Sequence, residues 1–201
     1  MTPPQDQLRA FVALTPDPPW TLALARIQAR LSSAPGGQQI RWVKPAQIHL
    51  TLRFLGQISP AQSREAIAHL QLAGPKFTPF PLELGALDCF PNPRRPRIIW
   101  IGLQGDLATL LALQHSIAQT LSGLGDHQED KPFQPHLTLG RVKPGSHRPE
   151  PVGDLLRHAS LPRLLPWQVR SVQLMRSELN PGGAVHSVLF TQPLGVRPQP
   201  T

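Results

Sequence analysis

The chain has 201 residues, 40% of them hydrophobic, and a formal net charge of +8 at pH 7. This length and apolar content are enough for a buried core, which excludes a disordered protein. The positive balance favours an anionic partner, with nucleic acid ahead of a membrane surface. No run of residues approaches the roughly 18 apolar side chains that a membrane-spanning helix needs.

The cysteine content and the first residues bear on the cellular compartment. Cys89 is the only cysteine, so it cannot form an internal disulfide. Its apolar surroundings are typical of a small core residue rather than a nucleophile. The amino-terminal residues lack the basic segment and the apolar stretch of a signal peptide. We therefore expect a cytoplasmic protein.

The hydrophobic pattern predicts strands and helices in alternation along most of the chain. Alternating apolar positions indicate strands, apolar positions three and four apart indicate helices, and Gly and Pro mark the breaks. In chain order we predict a strand at 8–14, a helix at 20–31 capped by Asp17, a short strand at 40–43, a strand at 48–55, a helix from 60 to about 73, strands at 80–90 and 97–103, a helix at 107–121 capped by Asp106, a strand at 136–140, a helix at 152–159, and a hairpin of strands at 167–179 and 184–190.

The tetrapeptide His-Leu-Thr-Leu occurs twice, beginning at His49 and at His136, 87 positions apart. Side chains two apart on a strand point to the same face. We therefore expect His49 to share a face with Thr51, and His136 to share one with Thr138, while the leucines pack on the other side. We expect the two copies to face each other across one cleft.

This spacing is close to half of the chain and suggests two related units. We predict an α+β fold of two pseudo-symmetric lobes, each a small, mostly antiparallel sheet backed by helices, with a central cleft between them. We take residues 1–201 as a single bilobal domain, and we expect the tail to fray from about residue 195.

Two histidines and two hydroxyls in one cleft suit a displacement at phosphorus. One imidazole can take a proton from water while the other gives one to the leaving group, and threonine hydroxyls can hold phosphate oxygens. A metal site is not indicated, because neither motif places a carboxylate or a cysteine at ligand spacing. The sequence contains no Gly-x-Ser-x-Gly nucleophile elbow and no Gly-rich phosphate loop with a lysine.

The paired motif and its surroundings resemble the two-histidine phosphoesterase family, in particular its RNA 2′,3′-cyclic phosphodiesterase branch, also called 2′-5′ RNA ligase. The resemblance is carried by residues 8–14, 48–56, 132–141 and 174–179, and extends over about 8–194. It implies a bilobal α+β fold. It also implies hydrolysis of RNA 2′,3′-cyclic phosphate ends to 2′-phosphate ends with no metal and no nucleotide cofactor.

The resemblance also implies roles for the motif residues. His49 is expected to be the general acid that protonates the departing 3′ oxygen, and His136 the general base that acts on water. Thr51 and Thr138 are expected to hold the phosphate oxygens. The assignment of acid and base comes from the resemblance, because the two motifs are identical.

Two arginines near the motifs are candidate substrate contacts. Arg141 stands where the family often has a basic residue, but strict alternation turns it away from the His136 face, so this role needs the bend that Gly140 permits. The same alternation places Arg53 on the His49 face, where it is either a substrate contact or a solvated rim charge.

Several aromatic and basic residues are weaker candidates. Phe54 and Phe133, with Phe11, have rings that can stack on a nucleobase, although phenylalanines more often lie in the core. His186 stands where family members often carry an aromatic residue, and it lines the cleft or is exposed. The basic run 94–97 is a further candidate for RNA contacts.

Two other functions stay open. The same site run in reverse joins RNA ends through a 2′-5′ linkage without ATP, and a binding module for RNA ends or nucleotides would bind without turnover. In each case the expected partners are RNA ends or nucleoside cyclic phosphates. We expect a monomer with no membrane partner and no obligate protein partner.

Overall fold

A computed structural model describes residues 7–127, 132–145, 150–180 and 183–196. Within these ranges the chain forms nine strands and four α-helices. The strands are β1 (Leu8–Leu14), β2 (Ile40–Trp42), β3 (Leu50–Ile58), β4 (Phe80–Phe90), β5 (Ile98–Gly105), β6 (His136–Val142), β7 (Trp167–Val169), β8 (Ser171–Asn180) and β9 (Gly183–Pro193), and the helices are α1 (Pro18–Ser33), α2 (Pro60–Ala73), α3 (Leu107–Thr120) and α4 (Glu150–His158). No helix in the described ranges has both the length and the apolar character needed to cross a membrane.

The strands form two sheets, and neighbouring strands pair antiparallel in both. The first sheet has the order β3-β1-β8-β9, and the second has the order β2-β6-β5-β4-β7. The predicted α+β class with two antiparallel sheets is confirmed. The motif strands β3 and β6 belong to different sheets and lie within contact distance of each other.

The lobes differ from the two halves of the sequence. The first sheet combines β1 and β3 from the start of the chain with β8 and β9 from its end, while the second takes β2, β4, β5, β6 and β7. The predicted single strand at 167–179 is in fact two strands in different sheets, because β7 pairs with β4 and β8 pairs with β1. Each lobe is therefore completed by distant parts of the chain.

The helix starts follow from local capping chemistry. The side chain of Asp17 accepts a hydrogen bond from the backbone N–H of Trp20, and Pro18 occupies the first position of α1. Ser59 and Gln62 form a reciprocal capping box at the start of α2. Asp106 accepts from the backbone and hydroxyl of Thr109 at the start of α3, and both bonds lower the pKa of its carboxyl. The predicted caps of α1 and α3 are confirmed.

The leucines of both motifs lie in one hydrophobic core. Leu50, Leu52, Leu137 and Leu139 are each at most 1% exposed, so the predicted core-facing side of both motifs is confirmed. Burying a leucine side chain contributes about 1.5–3 kcal/mol, which fixes the orientation of each motif strand. Cys89 is also buried, as expected, and burial raises the pKa of its thiol to about 11.

The end of the chain is attached further than the sequence suggested. Strand β9 continues to Pro193, three residues beyond the predicted strand. Leu194 is buried, and its backbone N–H donates to the carbonyl of Arg170. The N–H of Gly195 donates to the carbonyl of Phe77. The residues from 197 onward lie outside the described ranges, so the predicted fraying of the tail there stays a prediction.

Candidate active site

Both motif histidines are held by the same local hydrogen bond. Nδ1 of His49 lies 2.8 Å from the carbonyl oxygen of Gln47, and Nδ1 of His136 lies 2.7 Å from that of Gln134. A carbonyl can only accept, so each Nδ1 carries the hydrogen. In both rings this leaves Nε2 as the nitrogen available for proton transfer.

In the first sheet, the strand register places the threonine on one face and then shifts. Thr51 lies opposite Ala13, but the next paired residue of β3 is Arg53, which lies opposite Val12. Leu52 is therefore the extra residue of a β-bulge directly after the threonine. Directly opposed residues share a face, so Thr51 lies on the side of Ala13, away from the core-facing Val12.

The second sheet repeats this arrangement at the same point of the motif. Thr138 lies opposite Trp100, and the next paired residue of β6 is Gly140, opposite Ile99. Leu139 is the extra residue here and is fully buried. The final leucine of each His-Leu-Thr-Leu copy is thus a bulge residue, which alternation along a regular strand does not predict.

We call the face of each sheet that carries the motif threonine the cleft face. The two bulges determine which later residue of each strand lies on this face. Phe54 lies opposite Phe11, and Phe11 lies two residues from Ala13 on β1. Arg141 lies opposite Ile98, which lies two residues from Trp100 on β5. The cleft face of the first sheet therefore presents His49, Thr51 and Phe54, and that of the second sheet presents His136, Thr138 and Arg141.

This geometry places the two arginines on the faces opposite to those that strict alternation gives them. Arg141 lies on the cleft face with His136, and the bend it needs comes from the bulge before Gly140. Arg53 lies opposite the core residue Val12, so the bulge moves it off the cleft face; its side chain is partly buried, with a buried Nε atom. The same-face expectation for Arg53 is therefore wrong, because one inserted residue inverts the alternation.

A second arginine lies beside Arg141. Arg41 of β2 is directly opposite Arg141 of β6, and both side chains are exposed. Within the described residues neither guanidinium forms an ion pair. Like charges directly opposite each other on a sheet are destabilising, and a bound anion removes this penalty. The pair makes one end of the cleft face of the second sheet electropositive.

His186 lies against the first motif. Its ring stands edge-on to His49 with 5.0 Å between centroids, and its centroid is 4.9 Å from that of Phe11. The side-chain amide of Gln47 donates to the carbonyl of His186 and accepts from its N–H. Gln47 precedes β3 whereas His186 lies on β9, so these bonds join the two outer strands of the first sheet, and the sheet must curl.

An aromatic wall supports the second histidine. The rings of Phe90 and Trp100 are stacked with 4.9 Å between centroids, and the ring of His136 meets them edge-on at 5.1 and 5.7 Å respectively. His136 therefore has a rigid apolar support, as His49 has in Phe11, at 4.8 Å. Phe11 is only 2% exposed, so it braces a histidine and is not available to stack on a base.

The other two aromatic candidates differ in exposure. Phe54 is 43% exposed and is packed edge-on against His127 at 5.6 Å. Phe133 is partly buried against the core. Phe54 thus offers an accessible ring on the cleft face, whereas Phe133 packs against the core. In the described part of the chain, no group of three or more His, Cys, Asp or Glu side chains is arranged to hold a metal.

Burial controls the proton affinity of both motif histidines. It lowers the pKa of His49 to about 4, helped by the charges of His186 and His136 and opposed by the carbonyl of Gln47. Burial also lowers the pKa of His136, while the hydrogen bond to the carbonyl of Gln134 raises it. The charge of His136 is thus among the groups that disfavour a proton on His49, and the motif strands β3 and β6 are in contact. Without substrate, His49 is neutral at pH 7.

Two glutamines that hold the motif histidines were not recognised in the sequence, although they belong to the repeat. Gln47 and Gln134 stand two positions before the two histidines, so the repeat is Gln-x-His-Leu-Thr-Leu rather than His-Leu-Thr-Leu. The backbone of each glutamine holds its histidine. The side chain of Gln47 also binds the backbone of His186 on β9, which places His186 beside the first motif.

Comparison with known proteins supports one family. The model of the family described as LigT like Phosphoesterase matches residues 14–100 and 101–186. The RNA 2′,3′-cyclic phosphodiesterase of Aeropyrum pernix is 33% identical over 167 residues, covering 83% of this chain and 92% of that protein. The protein of the same name from Archaeoglobus fulgidus is 34% identical over 184 residues, covering 90% and 98% respectively.

Solved structures with the same fold cover nearly the whole chain. TT0787 of Thermus thermophilus has a TM-score of 0.73 and 26% identity, covering 94% of this chain and 99% of that one. LigT of E. coli, solved as a complex with phosphate, has a TM-score of 0.68 and 20% identity, covering 95% and 99%. Sequence, fold and the duplicated motif agree, and the chain belongs to the LigT-like phosphoesterase family.

Proposed function

We infer that this protein hydrolyses RNA 2′,3′-cyclic phosphate ends to 2′-phosphate ends. The observation that carries this inference is the matched pair of imidazoles, each with Nδ1 bound to a backbone carbonyl and Nε2 left for proton transfer. Relatives that share about a third of their residues with this chain carry the name of this activity.

The reaction needs one proton taken and one proton given. Water attacks phosphorus while the bond from phosphorus to the 3′ oxygen breaks, and the 2′ ester remains. His136, in its neutral form, takes the proton of water at Nε2. His49, in its protonated form, gives a proton from Nε2 to the departing 3′ oxygen. Each such group contributes about 10²–10⁴-fold in rate, and proton exchange with water restores both rings.

The remaining cleft-face residues suit an anionic nucleotide. In this proposal Thr51 and Thr138 donate hydroxyl hydrogens to the two non-bridging phosphate oxygens, where negative charge accumulates. Arg141 supplies positive charge on the same face as His136. Phe54 offers a ring for a base. Arg53 pairs with the core residue Val12 and Phe133 packs against the core, so both have weaker support as substrate contacts.

The acid role of His49 requires help from the substrate. With a pKa of about 4 in the free protein, the ring holds no proton at pH 7. A bound phosphate anion favours the charged imidazolium and raises this pKa. The assignment therefore depends on substrate binding before proton donation, and the reversed assignment is its direct competitor.

A leaving group that needs no proton distinguishes the two assignments. A dinucleotide substrate ending in a cyclic phosphorothiolate, with sulfur at the bridging 3′ position, releases a thiolate without general-acid help. We expect His49→Ala to hydrolyse this substrate at a rate near that of the unmodified protein and His136→Ala to stay inactive. If His136→Ala hydrolyses this substrate and His49→Ala does not, His136 is the general acid and His49 the general base.

We also propose that the active protein is a monomer in the cytoplasm. Both motif histidines and both threonines belong to one chain, so no residue of a second copy is required. Activity that stays constant per mole of protein across a dilution series, with sedimentation at the monomer mass, tests this proposal. A specific activity that falls on dilution would contradict it.

A further inference from the structure

Each bulge residue of the duplicated motif is held by a glutamine from a helix. The side-chain amide of Gln28, on α1, donates to the carbonyl of Leu139 at 2.8 Å. The side-chain amide of Gln114, on α3, donates to the carbonyl of Leu52 at 3.2 Å. Two different helices thus make the same kind of bond at the same position of the two motifs.

The two glutamines occupy equivalent positions in the duplicated chain. They are 86 positions apart, and the two motif histidines are 87 positions apart. The pairing is crossed, because Gln28 precedes the first motif and binds the second, whereas Gln114 precedes the second motif and binds the first. A crossed pair at matching positions is the arrangement expected of a duplicated unit whose copies interlock.

The surroundings of Gln28 show why the bond matters. Its side chain is only 5% exposed, the sole buried polar side chain in the described residues. Its amide nitrogen also donates to the carbonyl of Val43 at 2.7 Å, so both amide hydrogens are used. Val43 in turn donates its N–H to the carbonyl of Leu139. The carbonyl of Leu139 is therefore held by one backbone donor and one side-chain donor.

We propose that Gln28 and Gln114 are positioning residues that hold the two bulges and thereby keep Arg141 and Phe54 on the cleft face. Without its glutamine, each bulge carbonyl loses its side-chain donor, and the strand is free to return to regular alternation. Such a slip of one residue turns the side chain that follows to the other face. The part played by Arg141 and Phe54 in catalysis rests on the proposed function; the holding of the bulges does not.

Crossed double-mutant cycles test this proposal. Gln28→Met and Gln114→Met keep the side-chain length and remove the donor, and each is combined with Arg141→Ala and with Phe54→Ala. Gln119→Met, at an exposed position of α3, is the matched control. The measurements are kcat and KM on a dinucleotide with a 2′,3′-cyclic phosphate end, at a temperature where all variants are folded.

The structure predicts which pairs interact. When Arg141→Ala is already present, Gln28→Met is expected to lower kcat/KM little further; when Phe54→Ala is present, it is expected to lower kcat/KM by its full amount. For Gln114→Met we expect the reverse, with little further loss beside Phe54→Ala and the full loss beside Arg141→Ala. A general loss of stability would not give this pair-specific result. Additive losses in both cycles, or equal coupling of each glutamine to both partners, would overturn the proposal.

A second measurement decides the structural part whether or not the protein has the proposed activity. In amide NMR spectra, Gln28→Met is expected to shift signals of residues 139–141 and Gln114→Met those of 52–54, while Gln119→Met shifts neither group. Unchanged signals at these residues overturn the proposal. If Gln28→Met does not fold, the Gln114 variants and Gln28→Asn, with its shorter stem, give the same test.

Discussion

The ring of His186 stands edge-on to the ring of His49, with 5.0 Å between their centroids. Burial is the main cause of the lowered pKa of His49; the Gln47 carbonyl opposes it, and charges on His186 and His136 lower the pKa further. The pKa of His186 is itself lowered by burial and by Arg9. A third imidazole thus acts on the proposed acid from β9, a strand that carries neither motif.

Replacing this third histidine with an uncharged ring is expected to raise the pKa of His49. His186→Phe keeps the aromatic contact and removes the charge, so a proton on His49 is no longer opposed from β9. NMR titration of the imidazole signals measures the change. His127→Phe removes an exposed histidine as a control. A titration of His49 that is the same in both variants would contradict this prediction.

Loss of either motif histidine is expected to reduce hydrolysis by about 10²–10⁴-fold. His49→Ala removes the proton donor and His136→Ala removes the base, while neither ring is needed for the leucine core. Rates on a nucleoside 2′,3′-cyclic phosphate, with circular dichroism as the check on folding, measure the effect. Full activity in either folded variant would remove the case for a two-histidine mechanism, and binding without turnover in the unmodified protein would favour the binding module.

Substrate binding is expected to separate the pH profiles of kcat and kcat/KM. The kcat/KM profile reports the free protein, in which the pKa of His49 is about 4, whereas kcat reports the complex, in which the phosphate anion raises it. The limb set by the proton donor should therefore lie at higher pH for kcat than for kcat/KM. If this limb lies at the same pH in the kcat and kcat/KM profiles, the bound phosphate does not raise the pKa of His49.

The pair of arginines on the second sheet is expected to bind substrate charge. Arg141→Ala removes a charge-assisted contact worth about 1.5–3 kcal/mol, which corresponds to a loss of at least tenfold in kcat/KM. Arg41→Ala should raise KM more modestly, because this residue lies one strand further from His136. Both changes should flatten the dependence of KM on salt. Arg26→Ala, at an exposed position of α1, removes the same charge elsewhere and should leave the salt dependence unchanged.

Acid is expected to destabilise the fold through the buried histidines. The pKa of His49 is lowered on folding from 6.5 to about 4, so the unfolded chain binds the proton more tightly. Stability is therefore complete above pH 6.5 and falls as the pH drops toward 4, by up to about 3 kcal/mol for this residue. Urea unfolding from pH 7.5 to 4.5 measures this loss. A smaller loss in His49→Gln is expected, and an equal loss would assign the effect to other groups.

Local patterns in the sequence predicted most of the elements and the four motif residues. Strand boundaries at 8–14 and 80–90 agree to the residue, and the Asp17 and Asp106 caps are present, because capping and alternation depend on neighbouring residues. The sharing of a face by His49 and Thr51 follows from the same local rule. The implied roles of the motif residues in catalysis stay predictions.

What the sequence did not reveal depends on contacts between distant segments. The bulge after Thr138 needs the amide of Gln28, over a hundred residues earlier, and no pattern within the strand marks it. The same limit explains why Arg53 was assigned to the wrong face, and why the face of Arg141 depended on a bend that alternation does not predict. The sequence also did not predict that each sheet combines strands from distant parts of the chain, because the duplicated motif suggests two separate halves. The pairing of β1 with β8 depends on tertiary contacts.

The pairing of β1 with both β3 and β8 has a consequence for how the chain folds during synthesis. One edge of the amino-terminal strand is covered by a segment about forty residues away, and its other edge waits for Ser171–Asn180. Until the ribosome has released that segment, the nascent chain exposes an apolar, unpaired strand edge. The sheet that contains β1 is therefore completed only when β8 becomes available for pairing.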